Sequence, residues 1–268
     1  MTLPGATADR DEAAYAVIGA PLDRSTTGQP GTRFGPREVR ELARGFEDYD
    51  HRTNQRFTDL SVHDHGDIGL RGDAREYLTF LESLVTAYAS DGVVPTLIGG
   101  EHTVALGGIR ALAPDIVVCL DAHLDLRAAY ADDPLSHAAV NRRVLETANR
   151  VVVLGARAGS QSGWERAADS DVTVVKPAAV AGWTPPAETD QLYLSVDIDV
   201  ADPSVAPGTG TPEPFGLEPA TIHEIVRTVA PRAVGFDIVE VNDRDNGQAA
   251  VLAAKLLRAF VFAHAAGP

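Results

Sequence analysis

The sequence predicts an α/β fold: a three-layer arrangement in which a mostly parallel sheet is covered by helices on both faces. Three observations carry this. Short runs that are apolar at consecutive positions recur along the 268-residue chain, as in strands buried on two sides. They alternate with stretches of helical periodicity. Pro/Gly-rich stretches at 28–36 and 203–216 interrupt the pattern without acting as linkers, so they read as functional loops rather than domain boundaries.

In chain order, residues 1–12 read as a polar, partly disordered tail, leaving 13–268 as one domain. The first strand is expected at 14–19 and the first helix at 36–45. A helix at 74–90 leads to a strand at 93–98, then a helix at 103–112. The run Ile116-Val117-Val118-Cys119-Leu120 marks a strand at 115–121, followed by a helix at 135–148. Strands at 150–155 and 172–175 flank a helix at 162–168. A strand at 192–197, a helix at 218–229, a strand at 233–238 and a helix at 247–264 complete the series. No internal repeat is present.

Composition narrows the function. Hydrophobic residues make up 44%, enough for a substantial core, and the formal net charge is −15. That balance excludes a nucleic-acid partner, which needs basic patches, and suits a cationic one. Lys176 and Lys255 are the only lysines among 23 basic residues. An acid-rich, Lys-poor chain suggests adaptation to high salt; a GC-rich genome favouring Arg codons explains the missing lysines but less well the surplus acids. Cys119 is the only cysteine, so no internal disulfide forms, and its apolar run makes it a buried strand residue rather than a nucleophile. No basic-then-apolar leader opens the chain, and no run approaches ~18 uninterrupted apolar residues. The expectation is a soluble cytoplasmic protein without membrane contact.

Ligands of parallel sheets bind at the carboxyl ends of strands. Three expected strands end there in metal-type residues: Gly99-Gly100-Glu101-His102, Asp121-Ala122-His123-Leu124-Asp125, and Asp197-Ile198-Asp199. In extended chain, positions i, i+2 and i+4 face one way, so Asp121, His123 and Asp125 can converge, as can Asp197 and Asp199. A lone Asp-x-Asp is usually a turn or helix cap, and a lone His in such a turn is more often hydrogen-bonded than metal-bound. Three such signals together are not accounted for in that way. Four crowded carboxylates would repel one another and raise their pKa values. Two divalent cations remove that penalty, and oxygen-rich ligation with imidazole suits manganese better than copper or a structural zinc site.

Further segments make the chain resemble the arginase/agmatinase (ureohydrolase) family from about residue 15 to 262. These are Pro21-Leu22-Asp23, Pro30-Gly31-Thr32-Arg33-Phe34-Gly35-Pro36, His65-Gly66-Asp67, Leu135-Ser136-His137, Asp202-Pro203 leading to Ala206-Pro207-Gly208-Thr209-Gly210, and Phe236-Asp237-Ile238-Val239-Glu240-Val241-Asn242. The resemblance implies an arginase-like sheet of about eight strands, two Mn2+ per chain and a homo-oligomer, trimer or hexamer. It implies that His102 and Asp125 each bind one metal, His123 and Asp199 the other, and that Asp121 and Asp197 bridge both. Glu240 would receive a substrate guanidinium through two parallel N–H bonds. His137 would bind substrate and shuttle protons, Asp125 would protonate the leaving amine, and a water ionised between the metals would attack.

Without the resemblance, Glu240 reads as a strand-end carboxylate and His137 as a helix-start residue. Residues 126–130 and 135–138 are similar to the agmatinase branch, so the expected reaction takes agmatine to putrescine and urea. Tyr130 either lines the pocket or is a packed surface aromatic; Asp132 and Asp133 either attract an amine tail or are solvated loop acids. Alternatives are guanidinobutyrate, guanidine, arginine or formiminoglutamate as substrate, or a non-catalytic regulatory member. Two departures stand out: Glu101 replaces the family's usual Asp, keeping the charge but lengthening the arm, so that support of His102 is altered, and Asp243 replaces the usual proline after Val241-Asn242, which changes what fixes the substrate-side loop. Arg33 and Arg37 are expected in structural ion pairs.

Overall fold

Every residue of β1 (Tyr15–Ala20) is buried, because alternate side chains enter cores on opposite faces of a sheet. Tyr15 and Val17 join one core; Ala16, Ile18 and Ala20 join the other. The structure is a computed structural model that describes residues 1–187 and 191–267. A small antiparallel hairpin, β2 (Tyr49–Asp50) and β3 (Gln55–Arg56), stands apart from the main sheet. The other strands are β4 (Val62–Asp67), β5 (Val94–Gly99), β6 (Ile116–Leu120), β7 (Arg150–Leu154), β8 (Val172–Val175), β9 (Leu192–Asp197) and β10 (Ala233–Val239). With β1 they form an 8-stranded sheet in the order β4-β1-β5-β10-β9-β6-β7-β8, each pairing parallel.

The helices are α1 (Gly35–Leu42), α2 (Ala74–Ser90), α3 (Ala105–Leu112), α4 (Val140–Val144), α5 (Gln161–Arg166), α6 (Pro177–Val180), α7 (Pro219–Val229) and α8 (Gln248–Ala266). On one face α8 packs against α1, α7 and β10; on the other α3 packs against α2, α4 and β10. Asp73 caps α2 by accepting the Glu76 N–H at 2.9 Å, an interaction whose loss costs ~1 kcal/mol. Tyr77, Leu81, Val85 and Tyr88, spaced for one helix face, are buried there. The length and apolar composition of α8 would suffice to cross a membrane, but 67% of it is buried inside the molecule, so its apolarity is accounted for by the core.

The expected strands agree with the observed ones to within one residue at each end. Four expectations are corrected. Residues 1–12 are not a free polar tail: Leu3 is buried in the core and its N–H donates to Asp64 Oδ2 at 2.5 Å. The helix expected at 135–148 is much shorter. Ser136 is extended and caps a 3₁₀ turn at His137–Ala139, Ala139 leaves helical geometry, and α4 spans only Val140–Val144. Strand β4 is absent from the expected series, because its sequence Val-His-Asp-His-Gly-Asp has no apolar run; it is an edge strand whose acids face Arg40. The short α6 is likewise absent from that series.

Candidate metal centre and active site

Four neighbouring strands, β5, β10, β9 and β6, bring their carboxyl ends to one place. From β5 the chain crosses to β6, leaving room that β9 and β10 fill later. Ligands bind parallel sheets at such a crevice.

The six expected ligands do converge there, but not by the extended-chain alternation. Strand β6 ends at Leu120, and Asp125 takes a left-handed φ of 47°. Asp199 lies in a 3₁₀ turn after β9, and its N–H donates to Asp197 Oδ1 at 2.9 Å. Asp121 Oδ1 accepts the His123 N–H at 2.6 Å, and Asp199 Oδ1 accepts that of Ala122 at 3.0 Å. The carboxylates therefore take up N–H groups freed when the strands end, and this curls the loops back over the site.

His102 Nδ1 lies 2.9 Å from Asp125 Oδ2, 3.3 Å from Asp121 Oδ2 and 3.8 Å from Asp197 Oδ2. His123 Nδ1 lies 2.8 Å from Asp199 Oδ2 and 3.7 Å from Asp121 Oδ1. Asp121 thus turns one oxygen to each imidazole. His102, Asp121, Asp197 and Asp199 are buried.

Charge balance is incomplete. Burial raises Asp197 well above the ordinary carboxylate value, and Asp199, Asp121 and Glu240 push it further. Asp125 is also raised, by burial and then by Asp121. Burial would raise Asp121 too, but hydrogen bonds from His102 and His123 hold it low. Both imidazoles are correspondingly raised against their own burial, His102 by Cys119 and by Asp121 and Asp125, His123 chiefly by Asp199 and Asp121. The donor set fits hard divalent cations: carboxylate oxygens with two imidazoles that both present Nδ1.

Glu240 follows β10 with a left-handed φ of 63°, and its N–H donates to Gly100 O at 2.7 Å. Its Oε1 accepts the His102 N–H at 2.8 Å and faces His137 Nδ1 at 3.0 Å. Its Oε2 is buried and has no hydrogen-bond partner among the described residues. Such an atom is costly unless a ligand satisfies it. Burial alone would lower His137, but Glu240, then Asp125 and Glu101, push it up to about 9. Its Nε2 is 3.0 Å from both the Thr27 N–H and Thr27 Oγ1. The neutral ring accepts from the N–H; the protonated ring donates to the hydroxyl.

Several supporting residues lie beyond what sequence reasoning finds. His102 Nε2 lies 3.3 Å from Ser195 Oγ, which donates to Asp237 Oδ1 at 2.7 Å. With that hydroxyl proton committed, Nε2–H is the donor, so a divalent cation that replaced the Nδ1 proton would meet that atom's lone pair. Burial raises Asp237 to about 6. Cys119, Ser195 and Asp237 stand side by side across β6, β9 and β10. An acid inside an apolar strand is the signal that could have found them. The altered arm of Glu101 does not bond the His102 ring. The Glu101 carboxylate turns away, accepting from Arg24 N–H at 2.5 Å, Ser25 N–H at 2.6 Å and Ser25 Oγ at 2.9 Å. Cys119 is buried, its thiol pushed up to about 12 by burial, so it is unreactive as expected.

A cavity of about 330 Å³ opens beside the centre, lined in part by Thr27, His123, Asp125, Arg127, Tyr130 and Glu213. Tyr130 lines this cavity and is 41% exposed. The Glu213 and Pro214 carbonyls accept from Arg157, which also binds the carbonyl of Asp199. The loop after Glu240 is fixed despite Asp243: Asn242 N–H donates to Gly208 O at 2.8 Å and its Nδ2 to Gln29 O at 2.8 Å. Arg33 pairs with Asp23 at 2.7 Å.

Comparison with known proteins agrees with this geometry. The model of the Arginase family matches residues 13–263. An N(1)-aminopropylagmatine ureohydrolase of Thermococcus kodakarensis is 34% identical over 257 residues, covering 92% of this chain and 89% of its own. An agmatinase of Pyrococcus horikoshii is 33% identical over 270 residues, covering 96% and 93%. The crystal structure of an agmatine ureohydrolase of Thermoplasma volcanium superposes with a TM-score of 0.91 at 31% identity, covering 99% of this chain and 94% of that one.

Proposed function

Because the chain belongs to the arginase family, we propose that it hydrolyses agmatine to putrescine and urea with two divalent cations, foremost Mn2+. The relatives named above support the substrate. The observation that carries the reading is the orphaned Glu240 Oε2 beside six converging ligands. In this reading His102, Asp121, His123, Asp125, Asp197 and Asp199 would hold the two ions. When bound, the ions offset the carboxylates and supply Lewis-acid activation of water.

The chain's own groups do the rest. Glu240 Oε2 accepts guanidinium N–H bonds and, with its strained backbone, fixes the substrate carbon over the centre. Burial excludes competing water and strengthens that contact. Asp125, 2.9 Å from His102, would pass the proton given up by the attacking water to the leaving amine. His137 exchanges protons with solvent through the exposed Thr27. Tyr130 lines the tail of the substrate, and Glu213 on the same wall favours a cationic tail.

A second reading has one observation in its favour. Arg127 also lines the cavity and would suit a tail carboxylate, as in guanidinobutyrate. Urea release from both compounds with Mn2+ present separates the two. Agmatine is expected to be the better substrate. Glu240→Ala should keep the metals and lose turnover; Glu240→Ala with normal turnover refutes the guanidinium role. The family resemblance supports a homo-oligomer, trimer or hexamer, checked by light scattering. The family resemblance supports a cytoplasmic location.

A further inference from the structure

Glu101 is fully buried, yet the hydrogen bonds to its carboxylate come from residues 24 and 25 of a single loop: the N–H groups of Arg24 and Ser25 and the Ser25 hydroxyl. A buried carboxylate is tolerated only with its donors in place. Glu101 and this loop therefore determine each other's position. The loop in turn grips His137 at two points. Ser25 Oγ accepts the His137 N–H at 2.8 Å, and Thr27 holds His137 Nε2 at 3.0 Å, its N–H donating to the neutral ring and its Oγ1 accepting from the protonated one. The remaining ring nitrogen faces Glu240 Oε1 at 3.0 Å.

We propose that Glu101 is a positioning residue. It clamps the 24–27 loop and, through Ser25 and Thr27, aims the His137 imidazole at Glu240. The inference rests on the proposed function only for its kinetic readout. A carboxylate offers acceptors to all three loop donors. A glutamine can keep the two N–H groups that Oε2 holds on its one oxygen, but its NH2 then faces Ser25 Oγ, so that this hydroxyl can no longer donate to residue 101 while it holds the His137 N–H. An aspartate is shorter by one methylene, ~1.5 Å, and does not reach.

The test uses the full chain loaded with Mn2+. In Glu101→Gln, kcat for agmatine should fall about 10²-fold, the scale expected when a group is misplaced by ~1 Å, with metal content unchanged. Hydrogen exchange read by mass spectrometry should speed up across 23–29. In the His137→Ala background, Glu101→Gln should cost nothing more in kcat, because the residue that it positions is gone. A loss that multiplies in the double variant, or unchanged exchange at 23–29, overturns the proposal. Ser25→Ala, a smaller change, allows the same cycle if Glu101→Gln does not fold. If the wild type releases no urea from agmatine, the substrate reading fails, and the exchange measurement alone decides the clamp.

Discussion

Two clusters of carboxylates lie along the same sheet and behave oppositely. At the β4 edge, Arg40 is buried and donates to Asp64 twice at 2.8 Å and to Asp67 at 2.5 Å. Burial would raise Asp64, but the Arg40 guanidinium holds it low. At the centre of the sheet, Asp125 and Asp197 are raised by burial and by neighbouring acids; their ion-pair partner is the His102 imidazole. The Asp64 side chain is as buried as that of Asp197, so the difference is the cation. Where the chain supplies its own guanidinium, the cluster is a brace. Where it supplies only imidazoles, the charge has to be completed from outside, and the cluster becomes a receptor.

The comparison breaks most visibly at Asp197. Asp197→Ala should abolish urea release and lower metal content from about two per chain, read by elemental analysis. Retained turnover would refute its role in holding the ions. Next in size, Arg40→Met should destabilise by about 3–5 kcal/mol, because Asp64 is left buried without its partner, while kcat of the folded fraction stays unchanged. Denaturant titration measures the first and kinetics the second. A loss of metal in that variant would mean that the two clusters are coupled.

Metal removal should act only on the central cluster. Returning Mn2+ to a hundredfold excess over its Kd should raise stability by about 2.7 kcal/mol for each of the two sites, by the same amount in wild type and Arg40→Met. The smallest effect is in pH. Asp64 is depressed, so the Arg40 pair contributes fully above the unfolded range near ~3.9 and fades as pH falls through the folded value. The difference between wild type and Arg40→Met should therefore shrink in acid. His137 is raised to about 9, so its pairing with Glu240 contributes fully below ~6.5 and fades as pH rises through about 9. Denaturation midpoints of His137→Ala against wild type should converge above that pH.

The central strands are legible in the sequence because each is apolar at consecutive positions, as a strand covered on both faces must be. Strand β4 is hidden because the Asp64 side chain is buried only through Arg40, a partner 24 residues away. The ligands are legible as residue types at strand ends. Their route to one another is not, since a left-handed residue at Asp125 and a 3₁₀ turn at Asp199 leave no periodic mark. Glu101 shows the same limit: its neighbour in sequence is His102, but its partners come from a loop some 77 residues earlier.

The alignment of Cys119, Ser195 and Asp237 across three strands couples assembly to competence. A slip of one residue in β9 would turn Ser195 and Asp197 to the opposite face, removing the brace of His102 and a ligand in one stroke. A chain paired in the wrong register would thus be blind to metal. Cation binding therefore rewards the correctly threaded sheet alone, and makes the ion a late inspector of folding as well as a reagent.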